Sequence, residues 1–512
     1  MRLCIGIVGK DLGFETVLHQ HGIPFQEIMD EGTIEHEQFP VININSREVI
    51  SKDRILSYVA SGGVVILNSR IYSKIFNCSL KKNKISYKIF DAHIFSGIGL
   101  VDFNTYFFIP KDNKISYLDS TNSIGIIEHG KGMICIFPFD FTELFSDYRS
   151  IRKKFYADRK ELPSEIVSNV SKGKLSQLIF RVLVYLFNVR GLPFVHTWYY
   201  PDKLNLFAFR IDTDFCNMQD ASHMYDLLDK YSISATWFID THSKNMLNKF
   251  YSQLHNNEVG LHCENHIVYG DYKKDYNNLK SGLDKLHNEK IDVHGFAAPF
   301  GEWNPNLDKV LSSLSFNYSS DFTFDYDDLP IYPIVNCEFS KVLQLPIHPI
   351  SIGRLRRSHF TDEEMINYYL RLIERKRNYN QPVILYHHPH HQRWKVLEEV
   401  FSYVNQLDFW KPTFQEYFKW WNEKLSSSIS VDLKDNVMNI NCENERIFVR
   451  IYGEGDQYSL IKPAENINLN DVQWEKKKHL PIPADIARIR KKHWRDVLYN
   501  HETRKAKRRV IK

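Results

Sequence analysis

From position 204 to about 424 the chain repeats one pattern, a short apolar run followed by a polar turn and then an amphipathic stretch. The apolar runs at 204–211, 233–239, 257–262, 293–298, 342–347 and 382–387 predict strands. The stretches at 220–231, 242–254, 272–288, 304–314, 361–377 and 394–406 predict helices. Strands that alternate with helices pair in parallel and are covered by those helices, and this many units points to a closed or nearly closed barrel. Residues 1–150 alternate in the same way, with strands at Leu3–Val8, Val64–Leu67 and Gly132–Pro138 and a helix at Phe14–His21 that ends near Gly22. They predict a second parallel sheet with helices on both faces.

Between these regions, 151–200 reads as a helical connector. Its helix over Leu175–Asn188 is stopped by Gly191-Leu192-Pro193. After the barrel the period changes to two, in Ser427–Leu433, Val437–Asn441 and Ile447–Tyr452, as in a small antiparallel β domain. Pro481 and Pro483 mark a linker, and from Ala484 a basic helix is expected with Ile486, Ile489, Val497 and Leu498 near one side. The predicted order is an α/β domain over 1–150, the connector over 151–200, a barrel over 201–425, a small β domain over 426–474 and a basic helical tail over 475–512.

Length adds that 512 residues make two to four domains. Cysteines at 4, 78, 135, 216, 263, 337 and 442 contain no Cys-x-x-Cys, which argues against a thiolate zinc site or a disulfide framework and suits a reducing compartment. The first residues lack a secretory apolar region. The most apolar segment, Leu178–Phe187, contains Arg181 and is too short to cross a bilayer. The expectation is a cytoplasmic chain. The net charge of +4 hides an asymmetry, because residues 475–512 carry 14 Lys/Arg and 4 Asp/Glu while the rest carries 52 against 58. The body is therefore not basic and nucleic acid is not an expected substrate. The tail could hold the protein at an anionic membrane surface.

Four polar clusters follow the predicted barrel strands: Arg-Ile-Asp-Thr-Asp (210–214), His-Cys-Glu-Asn-His (262–266), Ala-Ala-Pro-Phe-Gly (297–301) and Leu-Tyr-His-His-Pro-His-His (385–391). Barrel active sites sit at the C-terminal ends of strands. His262 and His266 are four apart, so a helical turn would place both rings on one face, and Asp214 or Asp212 can complete a facial triad for a divalent cation. Such a cation lowers the pKa of bound water and polarises a carbonyl. Asp212 and Asp214 are two apart, so on a strand both point the same way.

In this order the clusters resemble the polysaccharide deacetylases of the NodB-homology fold over residues 204–391. The resemblance implies a distorted (β/α)7 barrel that hydrolyses an N-acetyl or O-acetyl group on a sugar. It implies Asp212 as general base, Asp214, His262 and His266 as ligands of one divalent ion (zinc first, with cobalt, nickel or manganese as alternatives), and His387 of Leu385-Tyr386-His387 as general acid. The family's third-motif Arg is replaced by Ala297, and Arg210 could pair with Asp212 instead. Asp321 would hydrogen-bond to His387 or to a ligand His. His348, His388, Pro299, Phe300 and Trp303 are candidates for the substrate side, and a backbone N–H near Phe300 or Gly301 for the oxyanion. The Asp-x-Asp form is similar to deformylases of lipid-linked amino sugars. The expected function is therefore removal of N-acetyl from a sugar in cell-envelope polysaccharide assembly. The alternatives are a deformylase of a lipid-linked sugar and an inactive glycan-binding or scaffold protein.

Residues 1–150 resemble the class I glutamine-amidotransferase fold used as an accessory domain, in layout and in Gly62-Gly63 and Gly130–Pro138. That family's catalytic Cys sits on a Gly-flanked strand-to-helix turn. Here Asn68-Ser69-Arg70 follows the 64–67 strand, which implies a non-catalytic scaffold.

Overall fold

A computed structural model describes residues 1–30, 34–45, 50–214, 216–242, 250–476 and 478–491. The second half of the chain folds around one parallel ladder. Its strands lie in the order Leu343–Gln344, Tyr318–Ser319, Gly295–Phe296, Glu258–Cys263, Ala235–Asp240, Asn205–Asp212 and Val383–His387. Phe409–Trp410 pairs with the start of Asn205–Asp212. The two outermost strands approach across a seam where the His348 N–H donates to the Ile384 carbonyl at 2.8 Å. Among the described residues the sheet is thus a curled parallel half-barrel of eight strands, drawn toward closure by the segment after Gln344.

Side chains alternate across this sheet as strand geometry requires. Phe207, Phe209, Ile211, Val383 and Leu385 pack outward against the helices, in a core with Leu228, Leu279 and Val400. Leu206, Ala208, Ile384 and Tyr386 face inward with Phe238, Ala297 and Phe322. This parity decides which polar residues can enter a common site.

The strand count corrects the sequence reading in two places. The runs at 293–298 and 342–347 give only the two-residue strands Gly295–Phe296 and Leu343–Gln344. Beyond Phe296 the backbone leaves the ladder, and the Ala298 N–H donates to the Asp321 carboxylate at 2.8 Å instead. Tyr318–Ser319, with no apolar run of its own, supplies the remaining strand. The expected helix at 242–254 lies largely outside the described residues, with Tyr251–Gln253 a 3-10 turn.

The N-terminal sheet runs Phe25–Glu27, Ile5–Val8, Val41–Ile44, Val64–Asn68 and Gly132–Phe137 in parallel, then Gly125–His129 and Ser116–Tyr117 antiparallel. Its two faces bury separate cores. Leu80–Phe90 and Gly99–Pro110 form a long hairpin that the sequence reading missed. Its first strand reads Leu-Lys-Lys-Asn-Lys-Ile, so charges hide the period of two.

The connector is part of a core. The helix Lys172–Asn188 buries Leu175, Leu178, Leu183 and Leu186 against the N-terminal sheet and the later β segment. The small β domain expected at 426–474 divides between two sheets. One holds Ile429–Lys434, Val437–Cys442 and Ile467–Asn468. The other holds Val449–Tyr452, Gln457–Ile461 and Glu475–Lys476, and takes Phe194–Thr197 from the connector as its edge. Ala484 does not open an α-helix: Ile486–Arg490 is a 3-10 turn docked on the body. There Arg490 donates to both oxygens of Asp102, at 2.6 and 2.7 Å, beside Lys153. Ile489 is buried. Val497 and Leu498 lie outside the described residues. Among the described residues no helix is long and apolar enough to cross a membrane.

Candidate active site

The inward-facing polar residues meet at the C-terminal ends of the barrel strands, in a cleft of about 910 Å³. Asn205–Asp212 delivers Arg210 and Asp212 on its inner face, and the chain carries Asp214 to the same side. His262 sits near the end of Glu258–Cys263. His266 follows through a bend, not the helical turn that the spacing suggested. Asn278, on the helix Tyr272–Asn288, holds that bend. Its Oδ1 accepts from the Asn265 N–H at 2.7 Å, and its Nδ2 donates to the carbonyls of Asn265 and Ile267 at 3.2 and 3.1 Å. Nothing in the sequence marks this asparagine, since the staple depends on a tertiary contact.

Asp214, His262 and His266 converge. His262 Nε2 lies 2.9 Å from Asp214 Oδ1, and His266 Nε2 lies 2.8 Å from Asp214 Oδ2. One donor atom from each lies within 4.8 Å of the others. A first-row ion bonded at about 2.0–2.1 Å holds neighbouring ligands about 2.9–3.4 Å apart, so this spacing fits. His262 Nδ1 is 2.7 Å from the Ala297 carbonyl and must donate to it, which leaves Nε2 to face the cleft. Despite their proximity, Asp214 Oδ1 and His262 Nε2 are buried with no aligned hydrogen-bond partner among the described residues. Orphaned buried polar atoms are rare, and two facing each other across one cavity suit a shared cation. Burial opposes charge on Asp214, but the two imidazoles outweigh it and hold its carboxyl well below the usual range. Burial likewise opposes charge on His262, and Asp214 outweighs it, raising that imidazole to about 9. The proton so held is the one that a cation would displace.

Asp212 is fixed by its neighbour. Arg210 Nε donates to Asp212 Oδ1 at 2.6 Å, and Arg210 Nη2 to Oδ2 at 2.7 Å. The guanidinium is buried between the rings of Phe238 and Tyr386, at 5.2 and 5.5 Å, and its Nη1 donates to the Ser320 carbonyl. The small Ala297 faces the same interior layer as these rings.

The histidine run is resolved by parity. His387 points away from the cleft, wholly buried near Trp394 and His391, and neither ring nitrogen has a hydrogen-bond partner among the described residues. The next residue in register, His388, enters the cleft, with Nε2 3.6 Å from Asp214 Oδ2 and 3.9 Å from Asp212 Oδ2. The assignment of His387 as general acid is therefore corrected: its side chain does not reach the site, and His388 does. Burial lowers the pKa of His388.

Three further expectations change. Asp321 reaches neither His387 nor a ligand His; its carboxylate accepts from the Ala298 N–H and the Ser319 hydroxyl, and burial raises it to about 6. His348 lies outside the cleft, with Nδ1 3.0 Å from Asp327 and Nε2 3.0 Å from the Tyr368 hydroxyl, so it serves a buried polar network. The Gly301 N–H already donates to the Ala298 carbonyl at 2.9 Å and is not an oxyanion donor.

The third cluster does shape the cleft. Pro299 is buried at the start of a short turn. Phe300 has φ 58°, is half exposed and meets the His266 ring edge-on at 5.2 Å. Trp303 is nearly buried, packs on Phe324 at 4.6 Å and lines the cleft. Across the opening, Arg354 pairs with Glu165, a lining pair that the sequence gave no reason to join.

No family model matches the sequence, and no curated protein matches it. Among solved structures, the chain is similar to one named as a polysaccharide deacetylase of Mycobacterium smegmatis. The identity is 16%, over 44% of this chain and 94% of that one, with a TM-score of 0.39. It is similar to the peptidoglycan deacetylase PdaC of Bacillus subtilis at 14% identity over 44% and 95%, with a TM-score of 0.32. A CE4 family pseudoenzyme of Bacillus anthracis is similar at 15% over 43% and 66%, with a TM-score of 0.31. With identities of 16% or less and such TM-scores, the chemistry rests on this chain's own atoms.

Proposed function

We propose that this chain is a metal-dependent hydrolase that removes an N-acetyl group from a sugar or glycan. The observation that carries the reading is the convergence of Asp214, His262 and His266 on one point beside an Arg-clamped carboxylate and an inward-facing histidine. Those three residues would hold one divalent cation, with zinc suited to the two imidazoles and a carboxylate. When bound, such an ion supplies Lewis-acid polarisation of an acyl carbonyl and acidifies water.

The remaining chemistry belongs to the protein. Arg210 occupies one lone-pair direction on each oxygen of Asp212, so each oxygen keeps one for a water proton. The rigid fork fixes the plane of that carboxylate, which makes Asp212 the general base of this reading. His388, with Nε2 3.9 Å from Asp212 Oδ2, is placed to take the proton that Asp212 removes from water and pass it to the departing amine. Phe300 and Trp303 give the cleft apolar walls against which a sugar ring can lie. The setting in cell-envelope polysaccharide assembly, and a peripheral place at a membrane, belong to the same proposal.

The test is acetate release from N-acetylated glucosamine oligomers by cobalt- or zinc-loaded protein, against an Asp214→Ala control. Acetate release lost in the control supports the reading. Formate release from an N-formylated sugar without acetate release would reassign the acyl group. Glycan binding with no turnover of either would overturn it.

A further inference from the structure

Outside the lining of the barrel cleft, three segments bring together a second set of donors: His93, Asp456 and His479. His93 lies on the 3-10 turn His93–Phe95 inside the long N-terminal hairpin. Asp456 ends the turn Glu454–Asp456 between the strands Val449–Tyr452 and Gln457–Ile461. His479 precedes the C-terminal strap. His93 Nδ1 is 3.0 Å and His479 Nε2 is 3.2 Å from the same oxygen, Asp456 Oδ2. Their rings lie 4.4 Å apart between centroids, and one donor atom from each residue falls within 4.8 Å of the others.

A surface ion pair is the simplest alternative, and three observations stand against it. Asp456 Oδ2 is itself buried and, despite two nitrogens near 3 Å, has no aligned hydrogen-bond partner among the described residues. Asp214 Oδ1 and His262 Nε2 show the same feature in the barrel. His479 Nδ1 is engaged by the Ser96 hydroxyl, which sets the ring so that Nε2 faces the cluster. Ser96 closes the turn that carries His93, so one loop offers both a ligand and the partner that orients another. Asp456 also sits in the left-handed region at φ 61°, a conformation that Asp tolerates better than most residues.

We propose that His93, Asp456 and His479 bind a first-row divalent cation, zinc by the character of the donors, which clasps the C-terminal strap to the body. Two imidazoles and one carboxylate at these spacings fit an ion held at about 2.0–2.1 Å with water completing its coordination. The consequence is mechanical. Just beyond His479, the Leu480 N–H donates to the Tyr379 hydroxyl at 3.0 Å. Leu480–Pro483, Ile486 and Ile489 then roof a cavity of about 180 Å³ whose lining also includes Gly97–Leu100 and Tyr379. Arg490 on Asp102 anchors the far end of this roof, and the ion anchors the near end.

The test uses the full chain and cobalt(II) as probe. In an Asp214→Ala/His266→Ala background the protein should bind one equivalent of cobalt, read by calorimetry and visible absorption. Adding His479→Ala or His93→Ala should weaken that binding by at least about tenfold, since even partners that only orient a ligand change affinity by that much. Bound cobalt should also slow trypsin cleavage at Lys476 and Lys478. A background that binds no cobalt, or binding unchanged by both histidine substitutions, overturns the proposal. If the barrel variants fail to fold, the otherwise unaltered chain decides it: His479→Ala should lower total bound cobalt by one equivalent, and an undiminished count overturns the clasp.

Discussion

Two large sheets among the described residues, one mainly and one wholly parallel, are flanked by helices, and both gather polar side chains at the C-terminal ends of their parallel strands. In the N-terminal sheet those groups satisfy one another. Asp11 accepts from the Phe14 N–H at 3.1 Å, the Thr142 hydroxyl at 3.0 Å and the Asn43 amide at 3.1 Å. Asn68 closes the next helix by accepting from the Ile71 N–H at 3.0 Å. In the barrel some of the corresponding polar atoms lack an aligned partner. Asp214 Oδ1 and His262 Nε2 lie 2.9 Å apart without an aligned hydrogen bond, and His388 Nδ1 has no hydrogen-bond partner among the described residues. Position at a strand end is therefore a weak guide to chemistry. Burying polar atoms without partners costs free energy, and a fold retains them where a ligand completes them.

The largest effect should separate the two sheets outright. Asp214→Ala should abolish cation binding at the barrel site and lower kcat/KM by more than about a hundredfold, beyond the cost of losing a group that only orients a ligand. Asp11→Asn in the N-terminal sheet should leave kcat/KM within about twofold, because it touches no part of the cleft. Hydrolysis rates with bound metal counted in each protein check both.

Parity within the barrel gives the next contrast. His388→Ala should cost about 10²–10⁴ in kcat, the usual worth of a positioned proton-transfer group. His387→Leu should preserve turnover, since it replaces two unpaired buried nitrogens with an apolar side chain. Equal losses in the two variants would break this distinction.

Arg210 tests whether Asp212 depends on its clamp. Arg210→Met should destabilise the fold by about 3–5 kcal/mol in denaturant unfolding, because it strands a buried carboxylate. Adding Asp212→Leu should recover much of that stability without restoring hydrolysis.

At the connector strand, outside both of these sheets, the test is pH. His196 is wholly buried, its Nδ1 lies 2.9 Å from the carbonyls of His21 and Thr197, and burial lowers it to about 3. It is neutral in the fold but takes a proton in the unfolded chain below the ordinary value of about 6.5. Its contribution is therefore intact above that pH and is lost as pH falls toward about 3, at about 1.4 kcal/mol per pH unit. Relative to His196→Gln, the wild type should lose stability with that slope between about pH 6 and pH 4. The smallest effect is Asn68→Ala, which removes a helix cap and should cost about 1 kcal/mol with no change in turnover.

Much of the barrel was legible because buried parallel strands need continuous apolar runs and their covering helices need amphipathic ones. The donor set Asp214, His262 and His266 was legible because its residue types are unusual together. What was hidden follows from physical causes. His388 could have been chosen over His387 from strand parity, since Ile384 and Tyr386 face inward and Leu385 outward. The strand Tyr318–Ser319 is too short to show a period, and the hairpin strand Leu80–Phe90 is masked by lysines. The Asn278 staple, the Asp327–His348–Tyr368 network and the docking of Arg490 on Asp102 all join residues distant in sequence, and no local pattern encodes them.

The central claim is that one cation is held by Asp214, His262 and His266. Anomalous diffraction at the zinc edge from zinc-loaded crystals tests it most directly. The prediction is a peak about 2.0–2.1 Å from Nε2 of both histidines and from an oxygen of Asp214. Loaded crystals with no peak between those three side chains would contradict it.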